Sequence, residues 1–300
     1  MIDNLVKSIT DGDRRSISKA LTIVESTTDK DKNITAELIS KLFPLQASEI
    51  RVIGFSGITG SGKSSLIEEY GKLLLEENKK IAVLAVDPSS PVHGGSILGD
   101  KTRMSTLSNH QNCFVRPVPS KFNHGGISRS TREADSIFSA SGFDYIFVET
   151  VGVGQTEYSV SETCDCFIVN LLPATGDELQ GVKKGINELA DIILINKADG
   201  ALETQANITV NEYKKTLNKP IIATSIYQKD TVKNLANLVS EFFDTKRDIV
   251  QKKRLNQINK WAKSLAISHL ASTLDEINLP TMANPYHAKN EIIKKLKTVI

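Results

Sequence analysis

The sequence predicts an α/β protein: a mostly parallel sheet covered by helices on both faces, with helical extensions at both ends. Short apolar runs alternate with helix-like segments through the middle of the chain, the order expected when crossover helices join parallel strands. A glycine-rich loop at residues 57–64 follows the first run, and a polar loop at residues 196–199 follows a later one. Sheets of this kind bind ligands at the carboxyl ends of their strands, where both loops fall.

The elements are assigned in chain order. Two helices are expected first, at about residues 2–27 and 34–43. Seven strands are then predicted at residues 51–56, 81–87, 113–117, 144–149, 165–172, 191–196 and 220–224. Helices are predicted between and after them at residues 63–76, 127–141, 179–189, 203–217 and 231–243.

The carboxyl-terminal region is predicted to be helical. A long, basic, amphipathic helix is expected from Lys246 to about Glu276, and Pro280 then breaks the chain. Asn284 and Pro285 are typical of an N-cap followed by proline at the first helical position, so a final helix is expected to follow. We therefore divide the chain into a helical extension at 1–45, an α/β domain at 46–245 and a carboxyl-terminal helical segment at 246–300.

Composition excludes some function classes. The chain has 300 residues, 40% of them hydrophobic and 24% charged, so it can bury a full core. Its net charge of +2 gives no reason to expect a nucleic-acid partner. The longest apolar runs are too short to span a membrane, so we expect a cytoplasmic protein without a membrane partner. Cys113, Cys164 and Cys166 lack metal-ligand spacing, and we expect them to be reduced and buried.

The loop at residues 57–64 fits the phosphate-binding pattern G-x-x-x-x-G-K-S/T. A strand before it and a helix after it direct backbone N–H groups and the positive end of a helix dipole at a phosphate chain. We expect Lys63 to reach the β- and γ-phosphates and the Ser64 hydroxyl to bind Mg²⁺. The predicted phosphate-binding residues are Gly57, Ile58, Thr59, Gly60, Ser61, Gly62, Lys63, Ser64 and Ser65.

The loop at Asn196–Asp199 reads N-K-x-D and indicates guanine. A carboxylate at Asp199 can accept from N1–H and the 2-amino group of guanine, whereas adenine offers an acceptor at N1 and no 2-amino group. We expect Asn196 to tie this loop to the phosphate loop, and the methylene stem of Lys197 to lie over the base. A further loop with Thr224, Ser225 and Ile226 follows an apolar run and is in the right place to close over the guanine O6.

Carboxylates that end strands or lie in nearby glycine-rich loops are candidate magnesium ligands. Mg²⁺ prefers oxygen ligands and retains several waters, so a few carboxylates near the γ-phosphate suffice. Asp87 ends one predicted strand, Asp100 lies in the loop beyond it, and Glu149 ends another strand before a glycine-rich turn. With Ser64, these residues form the predicted metal site.

Several motifs together resemble the methylmalonyl-CoA mutase-associated GTPases, also described as MeaB, ArgK or MMAA-like proteins. The likeness covers nearly the whole chain. It rests on the phosphate loop and on these segments: VDPSSP, GGSILGDKTRM, GGISRSTRE, ETVGVGQ, GDELQGVKKGI, ELADIILINKADG and NPYHAK.

The resemblance implies a P-loop GTPase fold and a homodimer formed partly through the carboxyl-terminal helices. It also implies a client, an adenosylcobalamin-dependent acyl-CoA mutase, whose cofactor loading the family gates and which it protects from inactivation. Carried over, the magnesium ligands fall on Ser64, Asp87, Asp100 and Glu149. The implied switch segments are 88–103, 150–158 and 174–184.

Hydrolysis is expected to be slow. The sequence supplies no obvious arginine finger, and other GTPases that act as switches are slow without one. Lys63 is the first catalytic candidate. Gln155 is the second, because it could orient the attacking water; it could equally be a polar switch residue without a chemical role.

Two other classes of function remain open at this point. A metallochaperone GTPase of the nickel-delivery type would need clustered ligands, but the five histidines are scattered: His93, His110, His124, His269 and His287. A small-molecule kinase linked to transport would need an acceptor-binding base and a lid. We can assign neither in the sequence, and the guanine-reading motif argues against a kinase.

Overall fold

The structure is a computed structural model. It describes residues 2–26, 28–47, 49–87, 104–119, 126–150, 155–173 and 184–275, and eight residues between 284 and 294. The chain divides into two compact units, Met1–Gln251 and Lys252–Ile300.

The first unit is built on a parallel sheet, as predicted. Within the described part of the chain the sheet has seven strands, in the order β3-β2-β4-β1-β5-β6-β7, and each neighbouring pair is parallel. All seven predicted strands are present. They are β1 (Arg51–Gly57), β2 (Ile81–Asp87), β3 (Cys113–Pro119), β4 (Tyr145–Glu149), β5 (Cys166–Leu171), β6 (Ile192–Ile195) and β7 (Ile221–Ala223).

The strands are nearly continuous apolar runs because helices cover both faces of the sheet. Every residue of β4, β5 and β6 is buried. Strand β1 lies between β4 and β5, so the loop that follows it opens between two neighbouring strand ends. In α/β sheets this is where a ligand crevice forms.

Helices surround the sheet. Those within the described residues are α1 (Ile2–Thr10), α2 (Arg14–Glu25), α3 (Asp29–Leu42), α4 (Lys63–Glu76), α5 (Ser105–Asn109), α6 (Gly126–Ala140), α7 (Gln155–Ser161), α8 (Lys184–Leu189), α9 (Glu203–Thr216), α10 (Lys229–Thr245) and α11 (Arg247–Asp275), with 3₁₀ turns at Phe43–Leu45 and Gly200–Leu202. On one face α4 packs against α5 and α10, and on the other α6 packs against α2, α3 and α7. Right-handed crossovers require this division, because the chain runs in opposite directions across the sheet before and after β3.

The single helix predicted over residues 2–27 is wrong. The chain turns between α1 and α2, where Gly12 adopts the left-handed conformation with φ of +79°. Asp13 then caps α2, because its Oδ2 accepts from the Ser16 N–H at 2.8 Å. The next helix begins at Asp29 rather than at residue 34, because Thr28 Oγ1 accepts from the Asp31 N–H at 3.2 Å.

Two short helices, α5 and α7, were not predicted. They have five and seven residues, too few for an apolar repeat to reveal a helix. Of the helix predicted at 179–189, only α8 lies within the described residues.

Arginines attach the amino-terminal helices to the β3 edge of the sheet. Arg116 on β3 donates to both carboxylate oxygens of Glu25 on α2, with Nε 3.0 Å from Oε1. Arg14 Nη1 donates to the carbonyl of Cys113 at 2.8 Å, and its guanidinium lies 5.1 Å from the Phe114 ring centre. The amino-terminal helices therefore belong to the first compact unit.

The long helix α11 closely matches the predicted bounds. Its apolar side chains do not form one stripe, however. At 100° per residue, Leu255 and Leu265 lie on one side of the helix, and Ile267 and Leu274 lie on the opposite side. The helix is therefore not amphipathic along its whole length, which corrects the sequence-based expectation. Among the described residues, no helix combines the length and apolar character needed to cross a bilayer.

Candidate functional site

The phosphate loop connects β1 to α4, and backbone geometry requires three of its glycines. Gly57, Gly60 and Gly62 have φ of +143°, +82° and +85°, which side chains strain to adopt. Space is also restricted at two of them. A Cβ at position 57 would lie 2.0 Å from the carbonyl oxygen of Asn170, and one at position 62 would lie 2.7 Å from Asn196 Nδ2.

Lys63 lies across this loop. Its side chain is buried, and its Nζ donates to the carbonyls of Gly57 at 2.8 Å and Ile58 at 3.1 Å. Residues 58–60 and Ser65 are exposed. The ammonium group and the amino terminus of α4 therefore bring positive charge to the same loop, as phosphate binding requires.

Two predicted magnesium ligands are in contact. Ser64 Oγ donates to Glu149 Oε1 at 2.6 Å. The sheet brings them together because Glu149 ends β4, beside Phe55 of β1. Backbone pairing places the end of β2 next to β4, but the side chain of Asp87 lies outside the described part of the structure. So does the whole of Asp100.

The N-K-x-D loop is linked to the phosphate loop by a buried amide. Asn196 Nδ2 donates to the carbonyl of Ser61 at 2.7 Å, which is the contact expected from the sequence. Its Oδ1 accepts from Thr224 Oγ1 at 3.2 Å. One buried side chain thus connects the loops that follow β1, β6 and β7.

The carboxylate expected to read guanine has a fixed orientation. Asp199 Oδ1 accepts from Ser225 Oγ at 2.8 Å, and the same hydroxyl accepts from the Tyr227 N–H at 3.1 Å. The backbone N–H of Ser225 donates to Thr231 Oγ1 at 3.0 Å. A short hydrogen-bonded chain from α10 therefore holds Asp199 in place.

The other predicted site residues, two in the loops that follow β6 and β7 and one at the start of α7, have different environments. Lys197 is exposed and left-handed, with φ of +58°, which is uncommon for a residue with a side chain. Ile226 packs against the core on the α4 side of the sheet. The side chain of Gln155, the first residue of α7, lies outside the described part of the structure.

Sequence reasoning missed Asn170. This residue lies in β5 with no exposed surface, and its Nδ2 donates to the Ser61 carbonyl at 3.0 Å. The only signal was one polar residue within the apolar run CFIVNL. Thr231 was missed too, because a threonine near the start of a helix is ordinary.

A buried carboxylate lies on α6. Arg129 Nε donates to Glu133 Oε1 at 2.8 Å, and the Glu133 side chain is 2% exposed. Burial raises the pKa of Glu133 above its ordinary value of 4.5, although Arg129 opposes the shift. Burial also lowers the pKa of the neighbouring Arg132. These residues belong to the GGISRSTRE segment and not to the phosphate loop or base loops.

Comparison with known proteins identifies the family. The model for "Methylmalonyl Co-A mutase-associated GTPase MeaB" matches residues 17–278. The chain belongs to this family. The MeaB-family chain is 48% identical over 217 residues to a "Putative GTPase" of Caulobacter vibrioides, covering 72% of this chain and 66% of the relative. It is 39% identical over 259 residues to the "Methylmalonic aciduria type A homolog, mitochondrial" of Mus musculus, covering 82% and 62%.

The match spans slightly less than two thirds of the length of each of these two relatives. A solved structure described as "Crystal structure of LAO/AO transport system kinase" superimposes with a TM-score of 0.75 and 29% sequence identity, covering 91% of this chain and 85% of that one. This likeness supports the α/β fold described above.

Proposed function

We propose that this MeaB-family chain binds and hydrolyses GTP and acts as a chaperone for an adenosylcobalamin-dependent acyl-CoA mutase. In this role it gates cofactor loading and protects the mutase from inactivation. The observation that carries the nucleotide part of the proposal is the contact between two loops, in which Asn196 holds the phosphate loop and Ser225 orients Asp199. The family assignment supports it.

Guanine selection follows from the fixed carboxylate. Asp199 can accept from N1–H and the 2-amino group of guanine, whereas adenine presents a lone pair at N1 and lacks that amino group. A buried or oriented acceptor without its donor loses more free energy than a matched pair gains. GTP is therefore favoured over ATP.

The residues on the phosphate side fit Mg²⁺. Ser64 and Glu149 supply oxygen atoms, the ligands that this hard cation prefers, and their contact brings them to the same point. When bound, Mg²⁺ would offset negative charge on the phosphate oxygens. We assign Ser64 and Glu149, with Asp87 and Asp100, to hold it.

Lys63 and Gln155 are the proposed catalytic residues. The Lys63 ammonium, which lies on the loop carbonyls, stabilises charge that develops on the transferred phosphoryl group. Gln155 is assigned to orient the attacking water. Without an arginine finger assigned, the intrinsic rate is expected to be slow.

The client assignment rests on the family description, which names methylmalonyl-CoA mutase. Residues 176–184 contain two glycines, two acids and two lysines, and they follow β5 in the sequence. We propose that this segment communicates the nucleotide state to the mutase. Homodimer formation through residues 246–300 and a cytoplasmic location belong to the same proposal.

Calorimetry with GTP and ATP tests the nucleotide assignment, and equal affinities would contradict it. GTP turnover with and without the host's acyl-CoA mutase then tests the client. We expect the mutase to accelerate turnover, and replacement of Lys183 and Lys184 by alanine to reduce that acceleration while nucleotide binding is retained. Lys63→Ala is expected to abolish hydrolysis, so its rate gives the background of the turnover assay. No acceleration of the wild-type chain would remove the client from the proposal.

A kinase linked to transport is the second candidate, because the similar solved structure is described as a transport system kinase. A kinase transfers the γ-phosphoryl group to an acceptor, whereas a GTPase transfers it to water. Phosphate release from GTP in the absence of any acceptor therefore separates the two. Release that required an added acceptor would favour the kinase.

A further inference from the structure

Asn170 is a fully buried polar side chain in the parallel sheet. It lies in β5 beside β1, in register with Gly57, and has no exposed surface. Its Nδ2 donates to the Ser61 carbonyl at 3.0 Å. Its Oδ1 is buried and has no hydrogen-bond partner among the described residues. Burying an acceptor without a partner lowers the free energy of unfolding. Packing alone therefore does not account for an asparagine at this position.

Two amides converge on the same carbonyl. Asn196, which follows β6, donates to the Ser61 oxygen at 2.7 Å, and Asn170 donates to it from β5 at 3.0 Å. A carbonyl oxygen can accept two hydrogen bonds. The Ser61 oxygen is thus held from two neighbouring strands, and the peptide that contains it cannot rotate without breaking both contacts.

The held peptide determines the direction of the next N–H group. In a planar trans peptide, the carbonyl and the N–H point in opposite directions. With the Ser61 oxygen held towards β5 and β6, the Gly62 N–H points away from these strands. Gly62 is the residue before α4, and N–H groups at such a helix start bind phosphate.

We propose that Asn170 is a positioning residue for phosphate binding, which fixes the Ser61–Gly62 peptide so that its N–H faces the nucleotide. The inference rests on the proposed nucleotide function and deepens it. Asn170 acts through a phosphate-facing N–H and not on the base, so its contribution is independent of the base, and we expect it for both GTP and GDP. Its buried, unsatisfied oxygen also means that function is gained here at some expense of stability.

The test is Asn170→Leu, which removes the donor and the unsatisfied acceptor while keeping a similar volume. We expect the Kd of both GTP and GDP, measured by calorimetry, to rise about tenfold. This is the size of effect expected when the hydrogen bond from the Gly62 N–H to a charged phosphate is weakened. The preference for GTP over ATP should be unchanged. The Tm of the nucleotide-free protein should stay the same or rise, which a purely structural role would not produce.

Asn187→Leu is the matched control. Asn187 is also a buried asparagine, on α8, and its carbonyl accepts from Lys219 Nζ at 3.0 Å near the amino end of β7. The amino ends of the strands lie at the end of the sheet opposite the phosphate loop. The control should leave the affinities for GTP and GDP unchanged.

The outcomes separate the positioning role from the proposed function itself. A wild-type chain that binds neither GTP nor GDP contradicts the proposed function. A wild-type chain that binds while Asn170→Leu binds equally well overturns the positioning role, as does a change in base preference. Asn170→Val, which suits a strand, is the second variant; if neither variant folds, Asn170 is structural and the proposal is wrong.

Discussion

Different chemistry holds the two sides of the sheet. On the β5–β7 side, amide and hydroxyl donors connect the loops, through Asn170, Asn196 and Ser225, and Ser225 donates to the Asp199 carboxylate. On the β3 side, charged guanidinium groups attach the amino-terminal helices, through Arg14 and Arg116. The first set surrounds the candidate site, and the second set lies away from it.

Each set of contacts is suited to a different task. Hydrogen bonds from neutral donors are directional and short-ranged, so they fix the positions of loops without adding positive charge that would compete for a phosphate. Ion pairs tolerate a wider range of geometries and weaken with salt. We therefore expect substitutions that remove these loop contacts on the β5–β7 side to change binding, and those that remove the arginine contacts on the β3 side to change stability.

Asp199→Asn is expected to have the largest effect. The variant loses an acceptor for guanine and presents a donor to its 2-amino group, so the affinity for GTP should fall about 100-fold. Xanthosine triphosphate should bind better, because the oxygen at C2 of xanthine accepts a hydrogen bond. Calorimetry with both nucleotides provides the measurement.

Glu203→Gln is the control for Asp199→Asn. It removes one negative charge at the start of α9, from an exposed residue close to the base loop. Its GTP affinity should match the wild type. If both variants lost GTP affinity equally, general charge rather than the Asp199 contact would explain the effect.

Arg116→Ala should produce a moderate loss of stability without a change in binding. The variant leaves Glu25 without its partner; the two side chains are 21% and 18% exposed, and this remaining access to solvent limits the cost to about 1–2 kcal/mol. Urea unfolding measures the loss. Arg116→Lys should recover part of it, and a GTP affinity that fell with stability would contradict the division between the two sides.

Glu133→Gln should have the smallest effect, visible as a change in the pH dependence of stability. Because burial raises the pKa of Glu133, the folded state binds this proton more tightly than the unfolded state does. Its favourable contribution is complete below the ordinary pKa of 4.5 and is lost as pH rises through the folded-state pKa. Relative to the variant, the wild type should therefore lose stability as the pH rises through that range. Tm measured from pH 4 to pH 8 would reveal it, and parallel curves would contradict the assignment.

Local sequence patterns predicted the strands well but not their order. Each strand is an apolar run ended by polar residues, and that signal is contained in a few neighbouring residues. The order β3-β2-β4-β1-β5-β6-β7 depends on pairing between distant segments, which no local pattern records. The first helix was predicted without its break because the left-handed turn at Gly12 and the cap at Asp13 interrupt an otherwise helical pattern.

The candidate site was predictable to the extent that its residues form contiguous motifs. Asn196 was expected to contact the phosphate loop, and the structure contains that contact. Asn170 was not foreseen, since its role depends on β5 lying next to β1. A single asparagine in an apolar strand gives no indication of the loop it will face. The position of Asp100 remains a prediction.

The hydrogen bond from Asn196 to Ser61 joins residues 135 positions apart in the chain. Contacts between such distant segments have a high loop-closure cost and slow folding. A nascent chain that contains the phosphate loop would lack the Asn196 contact and the rest of the N-K-x-D loop until β6 and β7 had been synthesised and paired. Nucleotide binding would then require that this half of the sheet has formed. A bound nucleotide would in turn stabilise the folded state, because it binds that state and not the unfolded chain.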